Sequence, residues 1–294
     1  MSAPVWLAGR FAIDLGRPRV MAVVNVTPDS FSDGEPGITT PRAVKRCEQL
    51  LKDGADILDI GGESSRPGAA PVDADTELAR IVPVLDAAVR LGCPVSVDTR
   101  KATVMRAALD LGADIVNDIS ALRDPGALEI VAAHGRCGVC LMHMRGTPES
   151  MREAASYVDV VAEVATFLRE RIAAVASAGI AHDRIVADPG IGFAKTAAHN
   201  LELLARQEEL LALGVPLLVG WSRKSTIARL AGVAAPAAAR TADERTRVEA
   251  GSVVAAVLAV ARGARIVRVH DVAATVAGLA VWRAAGGADN RRVP

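Results

Sequence analysis

The residues best suited to chemistry stand at the ends of short apolar runs. Asp56-Ile57-Leu58-Asp59-Ile60 stops at Gly61-Gly62 and opens into Glu63-Ser64-Ser65-Arg66-Pro67-Gly68, so that a buried-type strand releases a hydroxyl pair and an arginine beside a proline. Arg66 offers a planar fork of donors suited to a phosphate, and Pro67 narrows where its backbone can go. The pattern recurs along the chain. Asn25 closes the run from Arg19, Asp98-Thr99 closes Pro94 to Val97, and Asn117-Asp118 follows Asp114 to Val116. Met142-His143-Met144-Arg145, Asp188-Pro189-Gly190, Ser222-Arg223-Lys224 and Arg268-Val269-His270-Asp271 end four further runs. Helix caps at strand-to-helix loops account for acids, amides and hydroxyls in such places, Thr99 and Asp271 above all. They account poorly for Arg66, Lys224 and Arg268.

Sorted by charge, the set divides. Arg66, Arg268, His270 and the Ser65 hydroxyl suit a phosphorylated group, whereas Asp98, Asn117 and Asp188 suit the donors of a nitrogen heterocycle. A ring carrying a polyphosphate tail matches both halves. Lys224 stands where a first-turn lysine would oppose the helix dipole, which favours an anionic or ring-nitrogen partner for it. His134, His143, His182 and His199 have no metal-ligand spacing and read as structural or solvated.

These strand ends must be brought together by a scaffold. Val5 to Leu15 alternates apolar and polar residues around Gly9-Arg10, predicting an opening β-hairpin. After Arg19 to Asn25, helix, glycine stop and strand repeat. Thr40-Pro41 predicts a helix start with a capping hydroxyl, and Gly54 its end. Gly92, Gly112, Gly135, Gly179, Gly214 and Gly263 punctuate the chain in the same way, each before a strand candidate, the last three being Arg184 to Ala187, Val215 to Val219 and Arg265 to Val269. With Gly138 to Met142 the tally is about eight strands alternating with helices, the number that closes a parallel (β/α)8 TIM barrel. An open doubly wound sheet shares the alternation but calls for a GxGxxG turn after the first strand, which is absent. Pro83 predicts a kink or break in a helix over Asp75 to Leu91, and a further helix is expected over Thr246 to Arg262. The whole chain, residues 1–294, reads as one barrel domain.

Composition narrows the functional classes. Lys plus Arg and Asp plus Glu are 34 each, so no global field draws nucleic acid or an anionic membrane. Aromatic residues are only 3%, which leaves Ala, Val, Leu and Ile to build the core. Cys137 and Cys140 have the spacing of a zinc or redox half-motif, but residues three apart on a strand face opposite ways, which favours structural cysteines over a ligand or redox pair. No leader or long apolar span is evident, and the expectation is a soluble cytoplasmic protein.

The stretches VNVTPDSFSDG, DIGGESSRPGA, SVDT, VNDIS, LMHMRGTP, DPGIGFAK, VGWSRKS and RVHDV, in this order and at these strand ends, resemble the dihydropteroate synthase family, over nearly the whole chain from Val20 to Val272. The family's fold is a (β/α)8 barrel. Its activity, by resemblance, is condensation of 6-hydroxymethyl-7,8-dihydropterin pyrophosphate with p-aminobenzoate in folate synthesis. The resemblance implies that Asp98, Asn117, Asp188 and Lys224 hold the pterin, and that Ser65, Arg66, Arg268 and His270 hold the pyrophosphate. It further implies Asn25 as a ligand of Mg²⁺, and an aminobenzoate slot including Thr27, Phe31, Pro67, Phe193 and Ser222. Asp98, Arg66 and Lys224 are the catalytic candidates, and a homodimer through late helices is expected. The departures are Glu35 where a second glycine is common, and Ser65 for a commoner threonine, which keeps the hydroxyl.

Two other readings compete. A methyltransferase domain for a methylated reduced folate would keep Asp98, Asn117 and Asp188 but has no need of the SSRPG arginine, the SRK lysine and the RVH pair together. A silent pterin-binding paralogue acting as a partner protein predicts loss of Arg66, Asp98 or Lys224, and all three are present.

Overall fold

The structure, a computed structural model, describes residues 4–27, 39–66, 68–151 and 153–287. Phe31 and Pro67, and with them most of the Thr27 to Asp33 loop and Glu35, lie outside the described residues.

Two short strands, β1 (Val5–Ala8) and β2 (Phe11–Asp14), pair as the expected antiparallel hairpin. Then come β3 (Arg19–Asn25), α1 (Thr40–Lys52), β4 (Ile57–Gly61), α2 (Ala74–Ala88), β5 (Val95–Asp98), α3 (Ala102–Asp110), β6 (Ile115–Asp118) and α4 (Ala127–His134). The second half holds β7 (Gly138–Met142), α5 (Val160–Ser177), β8 (Ile185–Asp188), α6 (Ala197–Ala205), β9 (Leu218–Val219), α7 (Ser225–Leu230), α8 (Ala242–Ala261), β10 (Ile266–Val269) and α9 (Val272–Ala284). Strands β3 to β10 form one parallel sheet in the order β8-β7-β6-β5-β4-β3-β10-β9, and a single bridge from Ala187 to Leu217 joins its ends. The result is the expected (β/α)8 barrel. β9 is shorter than Val215 to Val219 because Pro216 has no N–H for the ladder; it contributes only a carbonyl, which accepts from Ala187 N.

The strands alternate with period 2, and this alternation separates packing from chemistry. Met21, Ile57, Ile115, Cys140, Val186, Leu218 and Ile266 close the barrel's lower interior, with Trp6, Ile13 and Leu15 of the hairpin region packed beneath them. The opposite alternates, such as Leu58, Val97, Val116 and Leu141, pack under the helices in a separate core. Cys137 lies in the outer core and Cys140 in the inner, and all four cysteines are free. Two residues beyond four of these inner apolar positions the strand offers a polar one: Asp59 after Ile57, Asn117 after Ile115, Asp188 after Val186, Arg268 after Ile266.

Several local expectations need correction. Thr40 is the first helical residue of α1 and Thr39 the cap, so the Thr40 hydroxyl is not at a capping position, and Thr39 makes no side-chain cap bond either. Helix α2 runs unbroken through Pro83, which sits on the exposed face together with Ala79, whose carbonyl, left without its helical partner, can reach water. Helix α8 begins at Ala242, four residues before the expected start, because Thr241 and Glu244 close a reciprocal capping box. Among the described residues no helix is long and apolar enough to cross a membrane.

Candidate active site

The sheet register aligns the rim. Asn25 pairs laterally with Gly61, Gly61 with Asp98, and Asp98 with Asn117, so residues from four consecutive strands share one level at the carboxyl end. Met142 stands beside Asp188 in the next pair of strands. Asp59 lies one inward step deeper, fully buried, and there it organises the centre. Its Oδ2 accepts from Arg268 Nε at 2.6 Å and from Asn117 Nδ2 at 3.1 Å. Arg268 Nη2 also donates to Asp98 Oδ2 at 2.5 Å.

This geometry joins the two sets that charge divided. Arg268 is anchored to Asp98 of the heterocycle set and to Asp59, to which sequence reasoning assigned no role and which also holds Asn117. A small cleft joins the halves as well, lined by Ser65, Asp98, Thr99, Arg100, Ile119 and Pro148.

Burial sets the protonation energetics. Removal from water pushes the Asp98 carboxyl up to about 7 against the pull of Arg268, with Asp59 and Glu77 adding to the rise. Asp188 is also raised by burial, while Gly190 N–H, Lys224, Lys195 and Arg268 restrain the shift. Burial opposes the charge on Arg268, but Asp59 and Asp98 outweigh it and hold the guanidinium more firmly protonated. Lys224 is lowered to about 8 by burial and by Arg268. Its ammonium stands 3.9 Å from the centre of the Phe193 ring, a cation-π contact that brings a pterin candidate and an aminobenzoate candidate together.

His270 is held neutral. Burial, then Arg223, Arg268, Lys224 and Arg66, push its pKa well below the usual imidazole value, so it presents an uncharged ring at the mouth. Arg66, exposed after β4, is near enough to add to that lowering. Ser222 Oγ lies 2.9 Å from His270 Nδ1 and accepts from His270 N at 3.2 Å, which makes it an orienting partner of His270. Thr27 is described at the end of β3, part-buried.

Behind the Ser65-Arg66 loop lies a network that sequence reasoning missed. Glu63 accepts from Lys101 Nζ at 2.8 Å and from Val72 N at 3.0 Å, and Lys101 also reaches the buried Glu77 at 2.6 Å. Burial would raise the Glu63 carboxyl, but Lys101, Val72 N–H and Arg100 hold it below the usual range. His143, read as structural or solvated, is buried against Lys195, a residue that carried no sequence signal beyond its place in DPGIGFAK.

Among the described residues no group of three or more His, Cys, Asp or Glu is arranged for a metal. Asn25 offers one amide oxygen at the rim. That donor set suits a hard divalent ion such as Mg²⁺ only if water and a ligand's phosphate oxygens supply most of its octahedron, which is how Mg²⁺ commonly binds.

Comparison with known proteins agrees with this geometry. Residues 21–270 match the pterin binding enzyme family. A dihydropteroate synthase of Neisseria meningitidis serogroup B is 51% identical over 97% of this chain and 99% of its own. A Xanthomonas albilineans dihydropteroate synthase solved with 4-aminobenzoic acid superposes with a TM-score of 0.87 at 49% identity, covering 99% of this chain and 100% of its own. The enzyme from Xanthomonas albilineans has also been solved with 7,8-dihydropteroate, at a TM-score of 0.84, 46% identity and the same coverage. A Yersinia pestis dihydropteroate synthase in a sulfonamide drug complex has a TM-score of 0.88 at 43% identity, over 96% of this chain and 99% of that one.

Proposed function

The chain belongs to the dihydropteroate synthase family of pterin-binding enzymes, transferases of folate biosynthesis that join 6-hydroxymethyl-7,8-dihydropterin pyrophosphate to p-aminobenzoate, and we propose the following roles for its residues. Asp98, Asn117, Asp188 and Lys224 hold the pterin, with Asp59 as the anchor that orients Asn117 and Arg268. Ser65, Arg66, Arg268 and His270 receive the diphosphate. Thr27, Phe31, Pro67, Phe193 and Ser222 form the aminobenzoate slot, which is also where a sulfonamide would compete. The observation that carries the reading is the joining of Asp59, Asp98, Asn117 and Arg268 by direct hydrogen bonds at one barrel mouth.

The chemistry follows from charge. The bond from the pterin methylene to the diphosphate oxygen breaks first, and both electrons leave with the diphosphate. Arg66 and Arg268 stabilise that charge most as it develops. Mg²⁺, held by Asn25 and the diphosphate itself, would supply further neutralisation when bound. The methylene cation is delocalised into the ring and faces the ionised Asp98. The aminobenzoate nitrogen, uncharged at neutral pH, then forms the new C–N bond and loses a proton to solvent, so no strong base is required.

A homodimer is part of the same proposal. Leu230, Val254, Leu258 and Val281, on α7, α8 and α9, are 41–70% exposed, an apolar face of the kind a second copy covers. Four unpaired buried cysteines fit a reducing, cytoplasmic setting.

The test is pyrophosphate release measured with pterin pyrophosphate, with and without p-aminobenzoate and Mg²⁺. Release and 7,8-dihydropteroate formation must depend on both substrates. Pterin binding without aminobenzoate-dependent release would point to the silent paralogue.

A further inference from the structure

We propose that Lys195 is a positioning residue of this site, one that locks the turn after β8 to the end of β7 and so holds Asp188 and Phe193 where pterin and aminobenzoate need them. The proposal rests on the functional reading above. Lys195 Nζ lies 2.9 Å from His143 Nδ1, and it donates to Phe193 O at 3.0 Å, Gly190 O at 3.1 Å and His143 O at 3.4 Å. No carboxylate is among these partners. An ammonium can only donate, so His143 Nδ1 accepts and the ring proton sits on Nε2. Burial, with Lys195 and Arg145 adding to it, keeps that ring neutral, its pKa down at about 2.

A cation held by carbonyls and one imidazole is poorly compensated for its burial, which lowers Lys195 to about 7. A surface lysine would do no harm here, so the arrangement asks what it holds. The answer is the turn itself. Gly190 is left-handed at φ +71°, and a methyl group there would run into the His143 carbonyl, so the β7 and β8 ends are in direct backbone contact. His143 N donates to Asp188 O at 2.9 Å, and Gly190 N donates to Asp188 Oδ1 at 2.7 Å. Three residues later the same turn delivers Phe193 to Lys224. Lys195 thus grips both ends of the segment that presents Asp188 and Phe193.

Its charge matters as well as its reach. Asp188 is faced by Lys195 and Gly190 N–H from its own loop, by Lys224 from the β9 end, by Arg268 from β10 and by Cys140 from β7. Removing Lys195 removes one of three cations that favour ionised Asp188.

The experiment compares wild type with Lys195→Met, His143→Phe, His143→Asn and the Lys195→Met/His143→Phe double variant, each checked for folding by circular dichroism. Steady-state pyrophosphate release is measured from pH 5.5 to 9. Lys195→Met is expected to raise KM for both substrates about tenfold, lower kcat, and move the acid limb of pterin kcat/KM to higher pH. His143→Phe should follow it in KM, His143→Asn should recover most of the loss because its amide oxygen replaces the Nδ1 acceptor, and the double variant should be no worse than Lys195→Met. Wild-type kinetics in folded Lys195→Met, or equal losses in His143→Asn and His143→Phe, would overturn the proposal. If Lys195→Met fails to fold, the His143 pair decides. A wild type that releases no pyrophosphate would instead overturn the reading of function.

Discussion

At the amino-terminal end of the barrel Arg10 closes on Asp114 at 2.8 Å, and Arg17 and Arg19 converge on Asp56 at 2.5 and 2.9 Å. At the carboxyl-terminal end Arg268 is shared between Asp59 and Asp98, while Lys195 and Lys224 have no carboxylate at ion-pair distance among the described residues. The lower end also satisfies its acids with backbone donors: Asp114 accepts from Arg10 N and Val95 N, and Asp56 from Val20 N. There the charges tie the hairpin and strand starts together. At the upper end Glu63, Lys101 and Glu77 pair among themselves, but Lys195 and Lys224 stay incompletely matched, and Asp98 and Lys224 are pulled toward neutrality, the condition of a site completed by a charged ligand. One barrel thus keeps a self-sufficient face for stability and an unfinished face for binding.

The sharpest way to break this contrast is at Arg268. Arg268→Met leaves Asp59, fully buried, with only Asn117 as a partner, and on the proposed roles takes a cation from the leaving diphosphate. We expect kcat/KM to fall by about 10³-fold or more, with a stability loss of about 3 kcal/mol in urea melts. A variant within tenfold of wild type would remove Arg268 from the centre of the site. Next in size is Trp6→Ala at the opposite end. Trp6 is fully buried under the barrel and its Nε1 donates to Arg184 O at 3.0 Å, so truncation should cost about 3–5 kcal/mol of stability. Assayed at low temperature on folded protein, its kcat/KM should match wild type. A loss of catalysis there would show that the two ends are coupled.

What the sequence disclosed and what it hid follow the same division. The strand Gly138–Met142 was legible to the residue because an unbroken apolar run begins at glycine and ends at a polar cluster. Much of the rim was legible because period-2 alternation carries a polar residue two places above Ile57, Ile115, Val186 and Ile266. Asp59 was visible as a strand-end acid, yet its role depends on Asn117 and Arg268, which lie 58 and 209 residues away. No local pattern encodes such a meeting. Lys195 and His143, 52 residues apart, escaped for the same reason. The late placement of α8 had a different cause, since Thr241 and Glu244 form a capping signature that was present and unread.

The third test concerns protonation at the upper end. Asp98→Asn keeps the shape and removes the charge that faces the methylene cation, so kcat should fall about 10²-fold, roughly 2.7 kcal/mol. In the wild type kcat/KM should rise with pH through about 7 as Asp98 ionises, and the Asn variant should lose that step and keep only the limb that Asp188 sets. Stability moves the other way. Because the folded state holds the Asp98 proton more tightly than the unfolded chain does, stability from this group is present at low pH and is lost as pH rises through about 7. Urea melts at pH 5 and pH 7.5 should therefore show wild type losing stability relative to Asp98→Asn. An unchanged difference would mean that Asp98 is not held near neutrality.

The smallest effect is expected from Arg10→Met, the lower-end counterpart of Arg268→Met. Arg10 is 44% exposed, so water screens its attraction to Asp114. Asp114 is buried, but with the guanidinium gone it still accepts from Arg10 N at 3.1 Å and Val95 N at 3.1 Å, because backbone donors survive any side-chain change. The cost should be about 1 kcal/mol, with kcat and both KM values unchanged. Asp59 has no backbone donor of this kind among its hydrogen bonds: Asn117 and Arg268 reach it through side chains alone. If Arg10→Met proved as damaging to stability as Arg268→Met, the proposed difference between the two ends would lie in burial alone and not in who satisfies the acid.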